Sequence, residues 1–284
     1  MTIRSEITAR SRASRSRPQP SARGADALEI RSSGRGLGAF VTGLDANRAL
    51  DAAKVLQLRQ LLHEHRALIF PGQSLDQGAL LDFVGYFGVA APPEGGSALP
   101  DTCIAHIDKH WTAQPSAACL LHMSSTPLQS SEIRWVDLLR AYADLDAETK
   151  WALASYQQRV RAPFGPMRPD MPGTIGGTTG NGTACMPTAI HPLVRTHPEL
   201  GRPLLFLSSQ LDVTLQDIDA NAGHALIERL RAHIAKPQYS YTHRWQRGDL
   251  VWWDNQAVLH ACTGAQPAVP ETCLRVDLAG ARPF

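Results

Sequence analysis

The apolar positions of residues 28–88 change period several times. "LEIRSSGRGLGAFVTG" (28–43) holds two short apolar runs broken by glycines and predicts two strands joined by a turn. "ALDAAKVLQLRQLLHEHR" (49–66) places apolar residues at helical spacing and predicts an amphipathic helix. "ALIFPG" (67–72) is a buried strand stopped by Pro-Gly, and "SLDQGALLDFVGYFG" (74–88) starts a second helix, with Ser74 and Gln77 as its capping box. From residue 103 the pattern turns to short β runs: "CIAHID", "AACLLHM" and "EIRWV", then, after a helical region over about 137–156, "IHPLVRTH" and "PLLFLS". A helix in "DIDANAGHALIERLRAHIAK" (217–236) precedes the strands "YSYTHRW", "DLVWWD", "AVLHAC" and "CLRVDLA". The Gly/Pro/Thr-rich stretch 165–187 reads as a long loop, and it and "GVAAPPEGGSALPDT" (88–102) are placed beside the pocket. The chain is therefore expected to be mainly β with helical insertions, a sandwich or barrel.

Composition narrows this picture. The 284 residues are 43% hydrophobic and 19% charged, ordinary globular material. No apolar run approaches the roughly 18 residues of a membrane span. Five scattered cysteines without a CxxC suggest free thiols in a reducing, cytoplasmic setting rather than a disulfide framework or zinc knuckle. The net charge of +2 is uneven: residues 1–23 carry six arginines and one glutamate, +5, which leaves −3 for the rest. That Arg/Ser-rich tail is too polar to order itself and reads as a solvated extension, with a targeting peptide or a phosphate-seeking arm as alternatives. Residues 24–284 form one domain in this reading. A mildly acidic domain argues against nucleic acid as a partner, and a homo-oligomer stays open.

The chemistry starts in "IAHIDKHW" (104–111), where His106, Asp108 and His110 occupy every second position and would share one face of a strand. His260 lies far away in "DLVWWDNQAVLHAC". Two histidines and one carboxylate make the facial triad of non-haem Fe(II) oxygenases, which leaves coordination positions for co-substrate and O₂. His106 and Asp108 would come from one strand, and each histidine would donate its second ring N–H to a neighbour. His110 would line the substrate pocket or touch the metal, or lie exposed past the strand's end. An H-x-D-x-H zinc hydrolase and a jelly-roll binding protein without chemistry are the rival classes. Trp245, Trp252 and Trp253 read as core, Asp254 and Asn255 as turn-formers, and His191 and His197 as structural.

Five blocks, "LHEHRALIFPGQSLDQGALLDFVGYFG", "HIDKHWTAQPSAACLL", "HPLVRTHPELGRPLLFLS", "RWQRGDLVWWDNQAVLHAC" and "LRVDLAGARPF", occur in the order of the taurine dioxygenase (TauD/TfdA) family, which the chain resembles from about residue 28 to its end. The resemblance implies a double-stranded β-helix (jelly-roll) barrel and an Fe(II)/2-oxoglutarate dioxygenase acting on a small molecule. It places His106, Asp108 and His260 on the iron ligands, and Arg275 on an arginine that reaches carboxylate or sulfonate oxygens.

Two positions depart from the family pattern. Glu271 stands where relatives have the arginine that grips 2-oxoglutarate, and Ile133 stands at a threonine position. Three readings follow. Arg275, or Arg134 beside Ile133, takes over the co-substrate carboxylate; or the electrons come from the substrate and 2-oxoglutarate is not used; or the chain is a non-catalytic relative.

Overall fold

The protein is described by a computed structural model, and the residues it describes are 27–92, 105–125, 131–162, 188–209 and 212–284 apart from 264–272. Residues 1–26, the stretch 165–187, most of 88–102 and Glu271 lie outside them.

The first two strands, β1 (Glu29–Ser32) and β2 (Ala39–Thr42), form the expected hairpin, and β3 (Ala67–Phe70) runs parallel to β2. Helix α1 (Ala52–His65) connects them. Asp51 caps its start by accepting from the Lys54 N–H, and Arg66 ends it in the left-handed region, φ 58°. Helix α2 (Gln77–Gly85) is capped by Asp76, whose carboxylate accepts from the Ala79 N–H. The Ser74/Gln77 box does not form, because an aspartate immediately before the first turn presents its acceptor directly to the N3 amide.

The major sheet continues with β4 (Ala118–Met123), β12 (Leu250–Trp253) and β14 (Cys273–Leu278), in the order β1-β2-β3-β12-β4-β14. A second sheet has the order β11-β5-β13, from β11 (Ser240–Arg244), β5 (Glu132–Asp137) and β13 (Val258–Thr263). Strand alternation gives each sheet an inner and an outer face. Leu121, Met123, Val251 and Trp253 from the major sheet meet Ile133, Trp135 and Val258 from the second in one inner core. The major sheet's outer face, Leu68, Phe70, Leu120 and Trp252, packs under α1 and α2. The second sheet's outer face, Val136, Leu259 and Ala261, packs with α3 (Leu138–Ala143) and α5 (Ala220–Ile234). The helical region expected over 137–156 is two helices, because Asp146 caps a new one, α4 (Ala147–Leu153).

Three strand pairs complete the outside. Strands β6 (Gln157–Arg161), β7 (Thr188–Pro192) and β10 (Asp212–Leu215) make a small sheet, and β8 (Val194–Thr196) pairs with β9 (Pro203–Leu205). All three tryptophans read as core are buried.

Candidate metal centre

The two histidines of the triad meet through backbone pairing. One edge of β13 pairs with β5; at the other edge a single residue, His106, bridges to His260. The His106 N–H donates to the His260 carbonyl and the His260 N–H to that of His106, both at 2.9 Å. Directly opposed residues of an antiparallel pair point to the same face. The imidazoles therefore lie side by side, centroids 4.4 Å apart, on the inner face.

Asp108 arrives differently from the sequence expectation. The extended geometry ends at the His106 bridge, and Asp108 opens a turn in which Lys109 has φ 57°. The turn is held by side chains. Asn255 Oδ1 accepts from the Asp108 N–H at 2.9 Å, and Asn255 Nδ2 donates to the Asp108 and Ser116 carbonyls at 3.2 and 2.8 Å. Ser208 Oγ accepts from the Ile107 N–H at 3.2 Å. This anchoring brings Asp108 Oδ1 to 3.6 Å from His106 Nε2, and Oδ2 to 3.5 Å from His260 Nε2. One ligand atom from each of the three residues lies within 4.8 Å of the others, and all three residues are buried.

The protonation states suit a divalent cation. Burial works to raise the Asp108 pKa, but the Arg275 charge and the two histidines outweigh it and hold the carboxyl well below its ordinary value. Burial pushes the His260 imidazole down to about 3, so it is neutral with a lone pair free. Neither His260 ring nitrogen has a hydrogen-bond partner among the described residues. An orphaned, buried Nε2 facing a carboxylate costs free energy unless something binds it, and a metal ion fits that role. Its Nδ1 does not make the expected second contact among the described residues; the ring lies tilted at 46° to Trp253, centroids 4.9 Å apart.

Arg275 stands beside the triad on the inner face of β14. Its Nη2 is 2.7 Å from Asp108 Oδ2 and its Nε donates to Asp277 Oδ1 at 2.9 Å. Burial would lower its pKa, but Asp108, Cys119 and Asp277 raise it well above the usual value, so it stays a cation. The Cys119 thiol donates to Asp108 Oδ2 at 3.0 Å.

The other expected residues divide. Ile133 is fully buried in the inner core, paired in register with Cys262 of β13. Arg134 is exposed on the opposite face of β5 and paired with Thr242 and Ala261, so it points away from the triad and cannot replace a lost co-substrate contact. His110 neither lies exposed nor joins the triad. The turn at 108–111 carries it into a separate buried cluster, where Nδ1 meets Ser208 Oγ at 2.9 Å and the ring stacks on His191 at 5.4 Å. His197 is structural as expected: its Nε2 pairs with Asp254 Oδ2 at 2.8 Å, fixing the turn before His260. Sequence reasoning missed the reach of Asn255 to Asp108 and the roles of Cys119, Asp277 and Ser208. The one signal for them was their polar side chains next to apolar runs.

No helix among the described residues is long and apolar enough to cross a membrane. The family described as "Taurine catabolism dioxygenase TauD, TfdA family" matches residues 29–276. The (S)-phenoxypropionate/alpha-ketoglutarate-dioxygenase of Delftia acidovorans is 24% identical over 89% of this chain and 95% of its own. The alpha-ketoglutarate-dependent 2,4-dichlorophenoxyacetate dioxygenase of Cupriavidus pinatubonensis is 27% identical over 78% of this chain and 87% of its own. Among solved structures, a taurine dioxygenase from Burkholderia xenovorans superposes with a TM-score of 0.76 at 23% identity, covering 90% of this chain and 91% of that one. AAD-2, solved with Mn(II) and N-oxalylglycine, gives the same TM-score and identity over 90% and 99%. With a match that spans nearly every described strand and includes all three residues of the buried His-Asp-His cluster, the chain belongs to the TauD/TfdA dioxygenase family.

Proposed function

We propose that the protein is a non-haem Fe(II) oxygenase that couples O₂ and 2-oxoglutarate to the oxidation of a small organic molecule. Its metal ligands are His106, Asp108 and His260, and its oxygenase domain is residues 24–284, a double-stranded β-helix whose two sheets face each other across the inner core. The observation that carries this reading is the buried triad itself, with an ionised carboxylate and a neutral, unpartnered imidazole. The relatives' dependence on alpha-ketoglutarate supports the co-substrate.

Fe(II) held by His106, Asp108 and His260 would supply the redox chemistry that activates O₂. The chain's own groups do the rest. The His106–His260 backbone bridge and the Asn255 clamp fix where the three ligand atoms sit, so little reorganisation is needed on binding. Arg275 holds Asp108 ionised and carries positive charge to the edge of the site. Trp253, Leu121 and Ile133 give the inner wall its apolar surface.

Protein loaded under argon should bind one Fe(II) per chain and consume O₂ when given 2-oxoglutarate and a substrate. Asp108→Ala should abolish tight iron binding, because it removes the one anionic ligand. Unchanged iron stoichiometry in that variant would overturn the assignment.

A further inference from the structure

The inner wall beside the triad is apolar and thiol-lined. Two residues beyond His260 on the same face of β13 is Cys262, opposite Ile133 of β5. Across the core, Cys273 pairs with Met123 and Arg275 with Leu121. Ile133, Met123 and Leu121 are buried together, and Cys262 and Cys273 pack against them. Burial pushes the Cys273 thiol up to about 12.

Charge counting shows what such a wall accepts. Among the described inner-face residues of β4, β5, β13 and β14, Arg275 is the one cation, and two carboxylates already hold it, Asp108 at 2.7 Å and Asp277 at 2.9 Å. Those three side chains sum to one negative charge. A divalent metal reverses it to one positive, and the 1-carboxylate of a 2-oxo acid neutralises that. A second carboxylate on the co-substrate has no cationic partner left among the described residues of these strands. The segments that adjoin this wall in sequence, 124–132 and 264–272, contain no Lys or Arg. An uncompensated carboxylate against apolar surface is costly, whereas an alkyl tail of equal length gains by burial.

We propose that the site selects 2-oxo acids with an uncharged alkyl tail as co-substrate, and that 2-oxoglutarate, with its distal carboxylate, ranks below them. This rests on the reading above that the protein is an Fe(II) oxygenase driven by a 2-oxo acid, and it makes 2-oxoglutarate a usable but weaker one. The balance is R–H + R′–CO–COOH + O₂ → R–OH + R′–COOH + CO₂. Two electrons come from oxidative decarboxylation of the oxo acid and two from the substrate C–H bond. One oxygen atom enters each organic product. Ile133, Cys262 and Cys273 are the specificity-determining residues.

The test uses the full-length wild-type protein loaded with Fe(II) under argon. Calorimetric titration compares 2-oxoglutarate with 2-oxopentanoate, the same five-carbon chain ending in a methyl group. The expected result is at least about tenfold tighter binding of 2-oxopentanoate, about 1.4 kcal/mol, with O₂-dependent CO₂ release from the two acids ranked the same way. Equal or tighter binding of 2-oxoglutarate overturns the proposal and directs attention to Arg168, the one basic residue of segment 163–187. O₂ uptake with substrate and no oxo acid overturns it as well. Failure of the underlying reading looks different: no iron retained, or no binding of either acid to iron-loaded protein.

Discussion

Asn255 shows how much of a metal site resides in residues that never touch the metal. It is fully buried, and its amide satisfies the Asp108 N–H, the Asp108 carbonyl and the Ser116 carbonyl at once. Without that clamp the turn at Asp108 loses three of the bonds that hold its carboxylate against two histidines. Groups that orient metal ligands in this manner commonly contribute about 10–100-fold to metal affinity. Asn255→Ala should therefore weaken Fe(II) binding by about that factor. Asn255→Asp keeps the acceptor for the Asp108 N–H but loses both donated bonds, and should fall between the two. The discriminating measurement is the Co(II) d–d spectrum, which reads coordination geometry. A shifted spectrum in a variant whose apo form keeps its near-UV circular dichroism marks a positioning role, and an unshifted spectrum with unchanged affinity would contradict it.

At the level of elements, caps and turns decide what hydrophobic period leaves open. Asp76 caps α2, while Ser74 contributes its backbone carbonyl to Asn47 and no side-chain cap. Asp76→Ala should cost about 1 kcal/mol and lower the melting temperature by about 2–4 °C. Ser74→Ala should leave it unchanged; the reverse pattern in thermal melts would restore the serine as the cap. The same logic explains what was legible in the sequence. Alternation in "EIRWV" sets Ile133 and Trp135 on one face of β5 and turns Arg134 to the other, against the expectation that Arg134 reaches the co-substrate, whereas "DLVWWD" and "AVLHAC" formed where their apolar runs indicated. Strands β6 and β10 went unread because their exposed faces carry Arg159, Arg161, Asp212 and Thr214 in place of a clear apolar run. The turn at Asp108 was hidden because Lys109, at φ 57°, is not a residue that announces a left-handed conformation. The meeting of His106 with His260 depends on a pairing between residues far apart in the chain. No local period encodes such a pairing; the residue types suggested a shared triad, and the family resemblance supported it.

Over the whole molecule, the buried histidines set the response to acid. Burial lowers the pKa values of His110, His122, His191 and His260, well below the ordinary imidazole value for His110 and to about 3 for His260. Their folded pKa values lie below those of the unfolded chain, so below pH 6.5 the unfolded state binds more protons and stability rises with pH. Acidification from pH 7.5 to 5 therefore destabilises the fold. Each fully buried histidine withdraws up to about 1.4 kcal/mol per pH unit once the pH is below the unfolded value. His63 opposes this, since its hydrogen bond to Glu199 raises its pKa, but the pair is partly exposed and solvent screens it. The buried set outnumbers it. With chelator present to remove the metal's own contribution, the urea midpoint should fall steadily between pH 6.5 and 5. A flat or rising midpoint would mean that these imidazoles accept protons within the fold, and that the triad's neutral histidine is not enforced by burial.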